Sequence, residues 1–91
     1  MNNQQINPLR EQINHLDKQL LEILEKRFEI CKQIGKIKKQ NGFSIEDKKR
    51  EEEIVESRKS MSKLNPEFIE KLYSLIFQEA KLTQEKNETN T

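Results

Sequence analysis

Apolar residues recur along the first forty positions at Leu9, Ile13, Leu16, Leu20, Ile23/Leu24, Ile30/Cys31, Ile34 and Ile37, with polar residues between them. Steps of three and four trace one face of a helix, and the alternation that a half-buried strand needs is missing. The pattern holds until Asn41-Gly42, where glycine can accept the left-handed backbone of a C-terminal cap. It predicts one long helix over about residues 6–40. Ser44 followed by Asp47 resembles a capping box with aspartate in place of glutamate, and it predicts a second helix over about 45–60 through Ile54 and Val55. The polar run Ser60-Met61-Ser62-Lys63 closes that helix. Asn65-Pro66 reads as an N-cap followed by proline at the first helical position, opening a third helix over about 66–87 carried by Phe68/Ile69, Leu72, Leu75/Ile76, Ala80 and Thr83. Residues 88–91 are expected to form a disordered tail.

The expected fold is all-α, one domain over residues 1–91, with a long helix followed by two shorter ones. Two short helices cannot cover the far half of the long helix's apolar stripe. Antiparallel pairing with a second copy covers it and gives an intertwined homodimer, a six-helix bundle. Composition strengthens this expectation, because 32% apolar against 36% charged residues is lean for a chain of 91 that must bury its own core. The single cysteine, Cys31, excludes an intrachain disulfide, so association is the remedy left.

Charge removes other classes of partner. Seventeen basic residues against sixteen acidic ones give a net charge of +1, which provides no global attraction to nucleic acid or to an anionic membrane. The basic residues Lys36, Lys38, Lys39, Lys48, Lys49 and Arg50 are mixed with acidic ones and lack interleaved aromatics, so a nucleic-acid surface is not expected. No apolar run approaches the roughly 20 residues of a membrane span, and the start Met1-Asn2-Asn3-Gln4-Gln5 lacks the parts of a signal peptide. The cytoplasm is the expected compartment.

The informative residues are long polar ones on the apolar stripe. Arg27 and Lys38 are eleven steps apart, which at about 100° per residue brings them within ~20° of each other and roughly 16 Å along the axis. They could lean together over a small anion, although the ordinary fate of such residues is to snorkel past the core into water. Arg10 lies ~42 Å up the helix from Lys38, too far to share a small ligand within one chain. In an antiparallel dimer crossing near Leu21/Glu22, Arg10 of one chain falls opposite Lys32 to Ile34 of the other, between Arg27 and Lys38. Two guanidinium forks and one ammonium would suit a dicarboxylate. Asp47, Arg50 and Glu51 share a face of the second helix and could address a hydroxyl, or simply pair with one another at the surface. Gln84 lies one turn past Ala80 at the edge of the third stripe, where a neutral amide could enter a pocket or stay solvated. Cys31 and His15, sixteen residues apart on one helix, make neither a nucleophile pair nor a metal site, and no glycine-rich phosphate loop exists.

These residues match a family. The run Leu9-Arg10-Glu11-Gln12-Ile13-Asn14-His15-Leu16-Asp17, with Leu20-Leu21, Leu24, Arg27, Gly35-Lys36 and Lys38, resembles the first helix of the all-helical AroQ class of chorismate mutases, the type II enzymes. Asp47-Lys48-Lys49-Arg50-Glu51 and Leu82-Thr83-Gln84 are similar to that family's second- and third-helix motifs, so the resemblance spans nearly the whole chain.

The resemblance implies a cofactor-free isomerase of aromatic amino acid biosynthesis that rearranges chorismate to prephenate. It implies that Arg27 and the partner's Arg10 bind the two carboxylates, and that Lys38 and Gln84 reach the ether oxygen. Glu51 and the backbone near Asp47 would hold the ring hydroxyl, with Arg50 in support. Ala80 departs from relatives that have a serine helping to hold a carboxylate. The reaction is pericyclic and needs neither nucleophile nor metal, so the lack of such machinery agrees with it. Catalysis would come from holding the reactive conformer and placing donors where charge grows. An isochorismate pyruvate lyase on the same scaffold and a non-catalytic helical dimerisation module stay open. Ninety-one residues are expected to hold no fused dehydratase, dehydrogenase or effector domain.

Overall fold

The computed structural model describes residues 3–89, with side chains as far as Gln84. The chain is three helices in order: α1 spans Asn3–Gln40, α2 Lys48–Met61 and α3 Pro66–Thr89. No strand occurs among the described residues, and none of their helices is long and apolar enough to cross a membrane.

Each helix end has a local cause. At the end of α1, Gly42 takes the left-handed conformation with φ 72°. Its N–H bonds the carbonyl of Lys39 at 3.3 Å, and that of Phe43 bonds the carbonyl of Lys38 at 2.8 Å. These two bonds form the glycine cap that Asn41-Gly42 predicts, and they satisfy carbonyls the helix leaves open. The other end starts three residues before the expected position, with Pro8 inside the helix. Proline there removes only the bond that the Gln4 carbonyl would accept, close to the first turn, where water can replace it.

The start of α2 differs from the expected capping box. Asp47, not Ser44, is the N-cap: its Oδ1 accepts from the Arg50 N–H at 3.0 Å, and its carbonyl accepts from the Glu51 N–H at 3.0 Å. Ser44 instead donates its hydroxyl to the Glu46 carbonyl at 3.1 Å inside the loop. A carboxylate accepts more strongly than a hydroxyl and its charge favours a helix N-terminus, so the later residue wins and α2 begins at Lys48. Asn65 caps α3 as its sequence predicts, its Oδ1 accepting from the Glu67 N–H at 2.9 Å. That helix continues to Thr89, two residues past the expected end, so of the expected tail only residues 90 and 91 lie outside the described residues.

The core is thin. Ile69, Ile76, Ala80 and Gln84 are buried along one stripe of α3, and Gly35 is buried on α1. Helix α3 packs against both α1 and α2, whereas the backbones of α1 and α2 make no close contact with each other. The two outer helices thus stand as walls with α3 between them as the floor. The N-terminal half of α1 projects beyond this arrangement and stretches the molecule to 60 × 30 × 15 Å. Along it Leu9, Ile13, Leu16 and Leu20 are each more than half exposed. A contiguous stripe of that size is what a stable single chain avoids leaving in water.

Candidate active site

Between the two walls lies a cavity of about 450 Å³, within the range of sites for small ligands. Arg27 and Lys38 from α1, Asp47, Arg50 and Glu51 at the start of α2, and Gln84 from α3 all line it. Six of the seven residues singled out from the sequence therefore share one space. Arg10, the seventh, is exposed on the projecting half of α1 and is not part of the lining. The lining also contains Arg58 and Lys81, so five basic side chains face two acidic ones, Asp47 and Glu51. A second groove of about 430 Å³ is lined by Glu51, Glu52, Glu56 and Glu70 with Lys48 as its only base. Its charge would repel an anion, whereas the first cavity would attract one.

Contacts around the cavity fix its cations. The guanidinium of Arg27 lies 5.8 Å from the centre of the Tyr73 ring, and one of its N–H groups points at the Cys31 sulfur at 3.7 Å. A cation–π contact of this kind holds the guanidinium near the ring while leaving its remaining donors for a carboxylate. Cys31, expected on the core side, is half-buried in the cavity wall. Lys38 donates one Nζ hydrogen to the Ile45 carbonyl at 3.0 Å. An ammonium has three donors, so two remain.

Glu51 does not pair along its own helix as the surface reading of Asp47, Arg50 and Glu51 supposed. Its Oε2 meets the Lys81 ammonium at 3.0 Å, and the same ammonium meets Glu46 Oε1 at 3.1 Å. The hydrogen bond to Glu51, helped by that to Glu46, raises the Lys81 ammonium above the ordinary lysine value against an opposing effect of burial. Glu46 is correspondingly held below the ordinary carboxylate value by its hydrogen bond and charge contact with Lys81, and by the charge of Lys48.

Gln84 is the most enclosed polar side chain among the described residues. It is buried, and its Oε1 has no hydrogen-bond partner. A buried unpartnered acceptor costs free energy, about 1–3 kcal/mol, which only a donor would recover, whereas the Nε2 hydrogens of the same amide are its donors. Gly35 makes room for this side chain, because a Cβ there would sit 2.7 Å from Gln84 Cγ and 2.9 Å from its Cβ. The Gln84 Cβ is fixed by the α3 backbone and cannot swing aside. Alanine gains about 1 kcal/mol over glycine in a helix, but overpacking costs about 1–3 kcal/mol. Gly35→Ala is accordingly expected to lower the thermal midpoint by about 5 °C, followed by circular dichroism. A raised midpoint would show that Gln84 does not lie against Gly35.

Sequence reasoning placed Gly35 in the first-helix motif without giving it a role, and passed over Tyr73 and Lys81. A glycine inside a strong helical pattern is a signal of close packing. Tyr73 and Lys81 carry none, since their partners are distant in the chain. Ala80 is buried in the cavity lining and offers only a methyl group. Among the described residues no cluster of three His, Cys, Asp or Glu side chains could hold a metal ion.

An all-helical domain whose three helices wall a cation-rich cavity is a scaffold for binding a small anion. The profile of one family, chorismate mutase type II, matches residues 9–85, and the chain belongs to that family. Over 80 residues it is 35% identical to the bifunctional chorismate mutase/prephenate dehydratase of Buchnera aphidicola subsp. Schizaphis graminum, covering 85% of this chain and 21% of the relative. The enzyme of the same description from Escherichia coli K12 is 34% identical with the same coverage of each chain. The T-protein of Enterobacter agglomerans is 30% identical over 79 residues, covering 84% of this chain and 21% of that protein. The chain thus spans about a fifth of the length of the curated relatives it matches.

Proposed function

We propose that the chain is a chorismate mutase, catalysing the intramolecular rearrangement of chorismate to prephenate as a homodimer. The observation that carries this reading is the convergence of Arg27, Lys38, Asp47, Arg50, Glu51 and Gln84 on one cationic cavity in a chain whose family is chorismate mutase type II. In this reading Arg27 takes one carboxylate of chorismate and the partner's Arg10 the other. Glu51 and the backbone at Asp47 receive the ring hydroxyl, and Arg50 supports them. Lys38 and the Gln84 amide donate to the ether oxygen, on which negative charge grows as the bond to carbon breaks. No covalent bond to the protein forms, so rate enhancement comes from conformational restriction and from donors placed before the reaction starts.

Purified protein assayed separately with chorismate and isochorismate, following prephenate and salicylate, tests the proposal. Prephenate from chorismate supports it. Salicylate from isochorismate alone would make the chain a lyase, and no turnover of either substrate by a stable dimer would make it an association module.

Gln84 gives a sharper test. A neutral amide donates at any ordinary pH, whereas a carboxyl in the same place donates only when protonated. Burial disfavours its charged form and moves its titration upward. Gln84→Glu is therefore expected to keep activity at acidic pH and lose it as pH rises through the value of the new carboxyl. A pH profile identical to that of the unsubstituted protein would mean that Gln84 does not face the reacting oxygen.

A further inference from the structure

We propose that Lys81 is a positioning residue that orients Glu51 and anchors the loop before α2, fixing the end of the cavity that receives the ring hydroxyl. The inference rests on the chorismate mutase reading. One ammonium on α3 meets Glu51 of α2 at 3.0 Å and Glu46 of the loop at 3.1 Å, and thus joins elements that are 30 and 35 residues away in the chain. Lys81 itself lines the cavity beside Ala80.

The arrangement has a chemical consequence for Glu51. Lys81 binds Oε2, which fixes the rotation of the carboxylate and leaves Oε1 to accept from a hydroxyl. The second arm acts on the backbone. Lys38 holds the Ile45 carbonyl from α1, Lys81 holds the Glu46 side chain from α3, and Asp47 follows directly as the cap of α2. The loop is clamped from both sides next to the two groups that would meet the hydroxyl. The direction in which Glu51 and Glu46 move the Lys81 titration agrees with an intact triad.

Lys81→Met keeps an unbranched apolar stem as far as Cε and removes the ammonium. The lysine is 29% exposed, so the loss is modest: KM for chorismate is expected to rise about fivefold, with kcat changed less than about twofold. Lys81→Arg should restore most of it. In a Glu51→Gln background Lys81→Met should add under about twofold, because the residue it orients is already disabled. A purely structural lysine would instead give independent, multiplying losses. Independently of turnover, side-chain nitrogen NMR should show the Lys81 ammonium titrating above an ordinary lysine, and closer to one in Glu51→Gln. Multiplying losses, or an ordinary titration in the unsubstituted protein, would overturn the proposal. If the unsubstituted protein formed no prephenate, the chorismate mutase reading would fail, while the titration would still report whether Lys81 holds Glu51.

Discussion

Arg27→Ala and Lys38→Ala are each expected to abolish nearly all chorismate turnover while leaving a folded, associating protein. Removing one partner of an enclosed charge pair costs about 2–5 kcal/mol, and loss of a donor aimed at developing charge costs roughly 10²–10³ in kcat. Arg27→Ala should therefore lower kcat/KM by about a thousandfold, and Lys38→Ala should lower kcat by at least about a hundredfold. The structural losses are much smaller. Arg27 contributes its contact with the Tyr73 ring, worth about 0.5–1 kcal/mol at a partly exposed site. Lys38 contributes one hydrogen bond to the loop carbonyl of Ile45, worth about 1 kcal/mol. Neither residue belongs to the buried stripe of Ile69, Ile76 and Ala80. Steady-state kinetics beside circular dichroism and sedimentation separate the two effects. Retained turnover in either folded variant would remove that residue from the site.

The parts of this molecule that were legible in the sequence are those fixed by local rules. The spacing from Leu9 to Ile37 specified α1, Asn41-Gly42 its end and Asn65-Pro66 the start of α3, because helix faces and caps depend on residues a few positions apart. The start of α2 was misread since two acceptors, Ser44 and Asp47, compete for the same backbone, and the outcome turns on acceptor strength. Helical periodicity placed Arg27 and Lys38 on one face but could not say what lay opposite. Their role came from the resemblance, and Gln84 reads as an edge residue until α3 is packed with its buried face on Gly35. The Lys81 triad was invisible for the same reason: its three members lie on a loop and two helices, and only tertiary packing brings them together.

Refolding two inactive variants together is expected to restore about a quarter of the original activity, and the geometry of α1 is the reason. The helix runs Asn3–Gln40, so its midpoint falls between Leu21 and Glu22. A two-fold axis there sets Arg10 of one copy opposite Lys32 to Ile34 of the other, and Ile34 lines the cavity. The same pairing would cover Leu9, Ile13, Leu16 and Leu20, which the single chain leaves mostly exposed. Within one chain Arg10 is ~25 Å along the helix from Arg27 and cannot reach the same small ligand. Each site would then need Arg27 from one copy and Arg10 from the other. In an Arg10→Ala homodimer both sites lack one fork, and in an Arg27→Ala homodimer both lack the other, so each preparation should be nearly inactive. Unfolded, mixed in equal amounts and refolded, about half the dimers are mixed by random pairing. In a mixed dimer one site has lost both arginines and the other neither. Half the dimers with one of two sites intact gives roughly a quarter of the original rate. Recovery should follow the fraction of mixed dimers, measured by tagging one variant and separating the species. A mixture that contains demonstrated mixed dimers and stays as inactive as its parents would refute a site shared between copies.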